Sequence, residues 1–272
     1  MKKISLILLM ASATLFAGCA TTTKNSFSGV ERTQFLMLPA SSVDVMSGQA
    51  YKETLEKAKT EKTLNTDAAM LKRITTISNR LIAQVGIFRA DASKWAWEVN
   101  VEKSDQINAY CMPGGKIMVF SGLVEKIDAT DDELAAVIGH EIAHALREHG
   151  RERMSQAYIQ QYGIQALGAL AGDGLAGAVA TQGAQLGSQL FFFLPNSREQ
   201  ERESDRIGLE LAARAGYNPK AAITLWQKMA AENPQSPPEF LSTHPGSQNR
   251  INDLQALAPT VMPIYEAAIK AK

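Results

Sequence analysis

Thr130-Asp131-Asp132-Glu133-Leu134-Ala135-Ala136-Val137-Ile138-Gly139-His140-Glu141-Ile142-Ala143-His144 is the stretch on which the reading of this 272-residue chain turns. Thr130, followed three residues later by Glu133, reads as a capping box, in which each side chain satisfies the other residue's orphan backbone N–H at a helix start. Asp131, Asp132 and Glu133 place negative charge at the positive end of the helix dipole. Leu134, Val137, Ile138, Ile142 and Leu146 follow at three- and four-residue spacing, which gives an apolar face for a core. Gly150 is the expected stop, because glycine tolerates the left-handed C′ conformation. On such a helix His140 and His144 lie one turn apart on one face, so both imidazoles can point at a single ion. Glu141, beside the first of them, can reach a water bound to that ion. HExxH is thus the pattern of helix-borne zinc sites that activate water.

A catalytic zinc needs a third protein ligand and keeps its fourth position for water. The best candidate lies in Ser197-Arg198-Glu199-Gln200-Glu201-Arg202-Glu203-Ser204-Asp205. Glu201 and Asp205 are four apart and share a helix face. Glu201 can complete a His2Glu set, and Asp205 can accept the remaining ring N–H of a ligand histidine. Arg198, Glu199, Arg202, Glu203 and Arg206 read as a solvated face. Cys111, in an apolar strand, reads as a small core residue rather than a ligand.

The fold expected around these motifs is α+β and mainly helical, with a small sheet beside the HExxH helix, a zincin (gluzincin-like) architecture. Asp67 to Val85 carries apolar residues at helical spacing, and Tyr51 to Lys62 is a charged helix candidate. Trp95 to Glu102 alternates with period two and reads as a half-buried strand. Ile107 to Met112 and Lys116 to Phe120 read as extended segments around the turn Pro113-Gly114-Gly115. Helices are expected from Asn196 or Ser197 to Ala215, from Pro219 to Glu232 and from Ser247 to Leu257. Residues 166–190 are rich in Ala, Gly and Gln and too polar for a membrane span; they read as a helical hairpin or lid.

Lys2 and Lys3, an apolar run from Ile4 to Met10 and small residues thereafter read as a secretory signal peptide. Leu15-Phe16-Ala17-Gly18-Cys19 resembles a lipobox, with Cys19 the lipid-bearing residue and Phe16 where Leu is usual. The expected organisation is a signal peptide over 1–18, a lipid-anchored tether over 19–50, a peptidase domain over 51–257 and a helical tail over 258–272. If Cys19 carries lipid, Cys111 has no partner in the chain, so a disulfide framework is not expected. The net charge of +0 gives no bulk electrostatic reason to bind nucleic acid.

HExxH, Glu201 with Asp205, Thr243-His244-Pro245 with Arg250, and Asn108-Ala109-Tyr110 leading to Pro113-Gly114-Gly115 together resemble the zinc metallopeptidases that include HtpX and the CAAX prenyl proteases. The likeness is to their soluble, exported lipoprotein branch and covers roughly residues 50–257. Ser204 stands where that family usually has Ala. The resemblance implies one Zn2+ per chain held by His140, His144 and Glu201, with Glu141 and His244 catalytic and Asp205 in support. It implies that the edge strand holding Lys116, Ile117 and Met118 adds a peptide substrate to its sheet, with Arg250 facing the site. The expected function is endopeptidase action on unfolded or misassembled envelope proteins. The alternative is a periplasmic chaperone whose zinc is blocked by His244. The expected location is the periplasmic face of the outer membrane, through the N-terminal lipid.

Overall fold

The computed structural model describes residues 19–24, 26–169, 195–232, 239–245 and 248–271. Most of the Ala/Gly/Gln stretch, from residue 170 on, lies outside the described residues, as does Phe191-Phe192-Phe193-Leu194.

The N-terminal segment packs into the body. β1 (Cys19–Ala20) pairs antiparallel with β2 (Gln34–Phe35). Ser28, Val30 and Gln34 between and within them are buried. Gln34 donates to the Arg147 carbonyl at 2.5 Å. α1 (Ala40–Thr60) follows, so its start precedes the expected Tyr51. Residues 19–50 are therefore not an extended tether. Their polar, aperiodic composition hid this, because polar contacts rather than an apolar stripe hold the segment, and the Pro39 N-cap of α1 makes no side-chain cap.

α2 (Ala68–Ile82) is capped by Asp67, which accepts from the backbone N–H groups of Ala69 and Met70. Ile74, Ile77 and Leu81 bury its apolar face. Two short 3-10 turns lead to β3 (Glu98–Glu102), then β4 (Ala109–Met112) and β5 (Lys116–Phe120). Gly114 and Gly115 between β4 and β5 have φ of 78° and 84°, the left-handed region glycine adopts without strain. The strand order is β3-β5-β4, with β3 parallel and β4 antiparallel to β5. β5 is thus the central strand, not the expected edge. The β3–β5 pairing is a long-range contact that alternation within a strand does not encode. Tyr51 of α1 covers one face: its hydroxyl donates to the Ile117 carbonyl at 2.8 Å and accepts from Asn100 at 2.9 Å.

After α3 (Ser121–Glu125), the expected capping box forms at Thr130 and Glu133 and opens α4 (Asp131–Leu146). α4 stops before Gly150. Glu148 adopts φ of 51°, and α5 (His149–Ala169) begins at once. Arg89 and Arg151, each 2.5 Å from the Glu148 carboxylate, hold this left-handed residue in place. The reversal turns His149 back toward α4.

α6 (Arg198–Arg214) starts at a second capping box, Ser197 with Gln200. α7 (Ala221–Glu232) and α8 (Glu239–Thr243) lead to α9 (Gln248–Lys270), which runs on through Pro259 and Pro263 rather than ending at Leu257. Among the described residues no helix is long and apolar enough to cross a membrane.

α4 and α6 cross where two glycines meet. A Cβ on Gly139 would lie 3.1 Å from the Gly208 carbonyl oxygen, and one on Gly208 would lie 2.8 Å from the His140 backbone nitrogen. This approach sets the HExxH face of α4 against Glu201 and Asp205 of α6. Gly208→Ala is expected to destabilise the protein by about 2–3 kcal/mol, because backbone rather than a flexible side chain must move. A urea unfolding curve superimposable on that of the wild type would refute this close packing.

Candidate active site

α4 carries His140, Glu141 and His144, α6 carries Glu201 and Asp205, and the residue after α8 is His244. All six side chains are buried. One ligand atom each from His140, His144, Glu201 and His244 lie within 4.8 Å of one another. His144 Nε2 is 3.0 Å from His140 Nε2, and His140 Nε2 is 3.3 Å from His244 Nδ1. Glu201 Oε1 lies 3.3 Å from His144 Nε2 and 3.0 Å from His244 Nδ1. His244 stacks on Phe240 at a centroid distance of 4.3 Å, which fixes its ring at this fourth corner.

Asp205 Oδ1 accepts from His140 Nδ1 at 3.0 Å. That contact fixes the ring so that Nε2 is the nitrogen facing the centre. Arg250 forks onto Asp205 at 2.6 and 2.7 Å, and its Nη1 lies 2.6 Å from Glu201 Oε2. That last contact is an ion pair without hydrogen-bond alignment, since Glu201 Oε2 has no aligned donor among the described residues. Arg250 therefore stands behind the two carboxylates, against the face of Trp226, rather than facing a substrate as expected.

Burial shapes every charge here. It opposes the charge of Glu201, but His244, His140 and His144 outweigh it and hold that carboxyl well below the usual carboxylate range. For His140 burial works against protonation, yet hydrogen bonds to Asp205 and Glu201 push its pKa up to about 9. Burial drives His144 well below the usual imidazole range, so its ring is neutral. Glu141 is raised by burial, and its Oε1 has no hydrogen-bond partner among the described residues.

This donor set suits a metal ion. Three imidazole nitrogens and a carboxylate oxygen converging on one buried point are the donor types that zinc takes. The separations also match the edge of a tetrahedral site, about 3.3 Å for bonds of about 2.0–2.1 Å. An open cleft leads in, lined by Ala109 and Cys111 of β4, Glu141, His144, Arg153 and His244. Lys116, Ile117 and Met118, expected on the substrate strand, are not among its lining residues; the strand that lines it is β4. Cys111 is buried, and burial raises its thiol pKa, so it stays a protonated core residue outside the metal-capable group.

Residues 69–258 match the pattern of peptidase family M48. The chain belongs to that family. Among curated M48 relatives, it is 31% identical to metalloprotease LoiP of Escherichia coli over 94% of this chain and 96% of that protein. It is 32% identical to the mitochondrial metalloendopeptidase OMA1 of Bos taurus over 86% of this chain and 46% of that protein. Against the beta-barrel assembly-enhancing protease of Yersinia pestis it is 32% identical over 72% of this chain and 40% of that protein. The chain thus spans about half the length or less of these last two relatives.

Four residues around the M48 site were not anticipated. His149 Nδ1 lies 2.8 Å from His144 Nδ1, and His149 Nε2 lies 2.9 Å from Glu203 Oε2. Arg147 and Arg32 reach the same Glu203 carboxylate at 3.1 and 2.8 Å. Glu203, read as surface, is buried. One signal was present in the sequence: all four histidines of the chain, three of them within ten residues, belong to this one cluster.

Proposed function

We propose that the protein is a zinc metalloendopeptidase, with His140, His144 and Glu201 as the metal ligands. The observation that carries this reading is the convergence of those three donors on one buried point, with the buried Glu141 carboxylate beside it. When bound, zinc supplies a Lewis acid that acidifies water and polarises the scissile carbonyl. Glu141 takes the proton of the attacking water and returns it to the leaving amine. Asp205, clamped by Arg250, fixes the His140 tautomer. His244 holds the fourth corner in this structure. It yields that corner as a substrate arrives and then donates to the developing oxyanion from beside Glu141, whose Oε1 is 3.5 Å from His244 Nε2.

The substrate strand lies along β4, the sheet edge whose residues line the cleft. An extended peptide at such an edge must first be unfolded, which supports unfolded or misassembled envelope proteins as the substrate class. Metalloprotease LoiP and the beta-barrel assembly-enhancing protease are bacterial relatives of the chain. We place the chain in the cell envelope, anchored by a lipid on Cys19 to the periplasmic face of the outer membrane. No observation favours the chaperone alternative.

Chelator-treated protein is expected to lose cleavage of unfolded casein, and added zinc to restore it. Cleavage that survives metal removal overturns the assignment. Zinc uptake should also depend on pH. His140 is protonated below about 9, whereas a metal needs its neutral Nε2, so binding displaces a proton. Affinity is then expected to rise about tenfold per pH unit between about pH 6 and pH 8. Competition titrations that give a flat profile would show that His140 is not protonated in the metal-free site.

A further inference from the structure

We propose that His149 is a positioning residue for the metal site, orienting His144 through its ring and handing that orientation on to Glu203. The inference rests on the zinc reading above and concerns residues that the reaction itself does not use.

A histidine that binds an ion through Nε2 carries its proton on Nδ1. His144 Nε2 faces the centre, so its Nδ1–H must donate outward. The group it meets at 2.8 Å is His149 Nδ1, which must therefore accept. A neutral imidazole with an accepting Nδ1 carries its proton on Nε2. His149 Nε2 lies 2.9 Å from Glu203 Oε2, an ionised acceptor. Each proton position follows from the one before it, and no donor or acceptor in the chain is left facing its own kind.

The far end is fixed as firmly. Arg147, fully buried, and Arg32, from the N-terminal segment, both ion-pair with Glu203. His149 is 0% exposed, so bulk water cannot replace either of its contacts. Ser204 sets its hydroxyl 3.3 Å from His149 Nδ1 and reinforces the acceptor role of that nitrogen. The two ligand histidines are thus held differently: His140 by a carboxylate directly, His144 by a carboxylate acting through a second imidazole. A histidine that merely filled core volume would need no such matched pair of partners.

The test uses the full-length protein and zinc competition against a chromogenic chelator. His149→Phe keeps a ring of similar size but removes both nitrogens. It is expected to weaken zinc about 10–100-fold. His149→Asn, whose amide oxygen can stand where Nδ1 stands, should recover most of that loss. Zinc affinity of His149→Phe within about twofold of the wild type overturns the proposal, as does equal impairment of the Phe and Asn variants, which would mean packing alone. Wild-type protein that fails to hold one zinc overturns the metal reading instead, a separate observation. If His149→Phe does not fold, long-range 1H–15N spectra of the zinc-loaded wild type decide. Only four histidines need assignment, and the expected protons are on Nδ1 of His144 and Nε2 of His149. A proton on Nδ1 of His149 overturns the relay.

Discussion

Glu141→Gln is expected to lower peptide turnover by about 10³-fold, within the 10²–10⁴ range typical of a lost general base, while zinc stays bound. The two side chains are nearly isosteric, and Glu141 lies outside the set of ligand atoms that converge on the ion. Its Oε1 has no hydrogen-bond partner to lose among the described residues. A neutral amide is also easier to bury than a carboxylate, so the fold should not suffer. What disappears is an acceptor able to take a proton from water. Burial raises the pKa of Glu141 and so strengthens it as a base. The same shift means that turnover should fall on the acid side at a higher pH than an exposed glutamate would give. Casein cleavage and metal content measured on one preparation check both halves. Wild-type cleavage by Glu141→Gln would remove the residue from the mechanism.

Glu201→Ala is the second large effect, and it acts on the metal rather than on the proton. Structural zinc sites bind with about 10–16 kcal/mol spread over four ligands, so one ligand is worth roughly 10²–10³-fold in affinity. The substitution also leaves Arg250, now 2.6 Å from the Glu201 carboxylate, with Asp205 as its remaining carboxylate partner of the two. Purified Glu201→Ala should therefore contain little zinc at micromolar protein and show no cleavage. Stoichiometric zinc in that variant would move the third ligand elsewhere, with His244 the next donor in the cluster.

The site was legible where its residues share a helix. His140, Glu141 and His144 lie within one turn or so of α4, and Glu201 and Asp205 within one turn of α6, so spacing alone predicts their common faces. His149 escaped because it lies beyond a left-handed break at Glu148, where helical spacing no longer says which way a side chain points. Glu203 escaped because its neighbours are charged. It is buried by contact with Arg147 and Arg32, which come from segments far away in the sequence. The central place of β5 was not legible, because the order β3-β5-β4 depends on a parallel pairing that no short pattern encodes. The Gly139–Gly208 crossing carries the same lesson. A lone glycine in a helix is visible in a sequence, but the backbone it must admit is not.

The pairing of Cys19 with Phe35 has a consequence for where such an enzyme works. An extended linker gives about 3.3–3.6 Å of reach per residue. Here the residue proposed to carry the lipid is already the first residue of a strand, so that leash has almost no length. An acylated chain would sit flush on its bilayer, its cleft held at a fixed height above the surface.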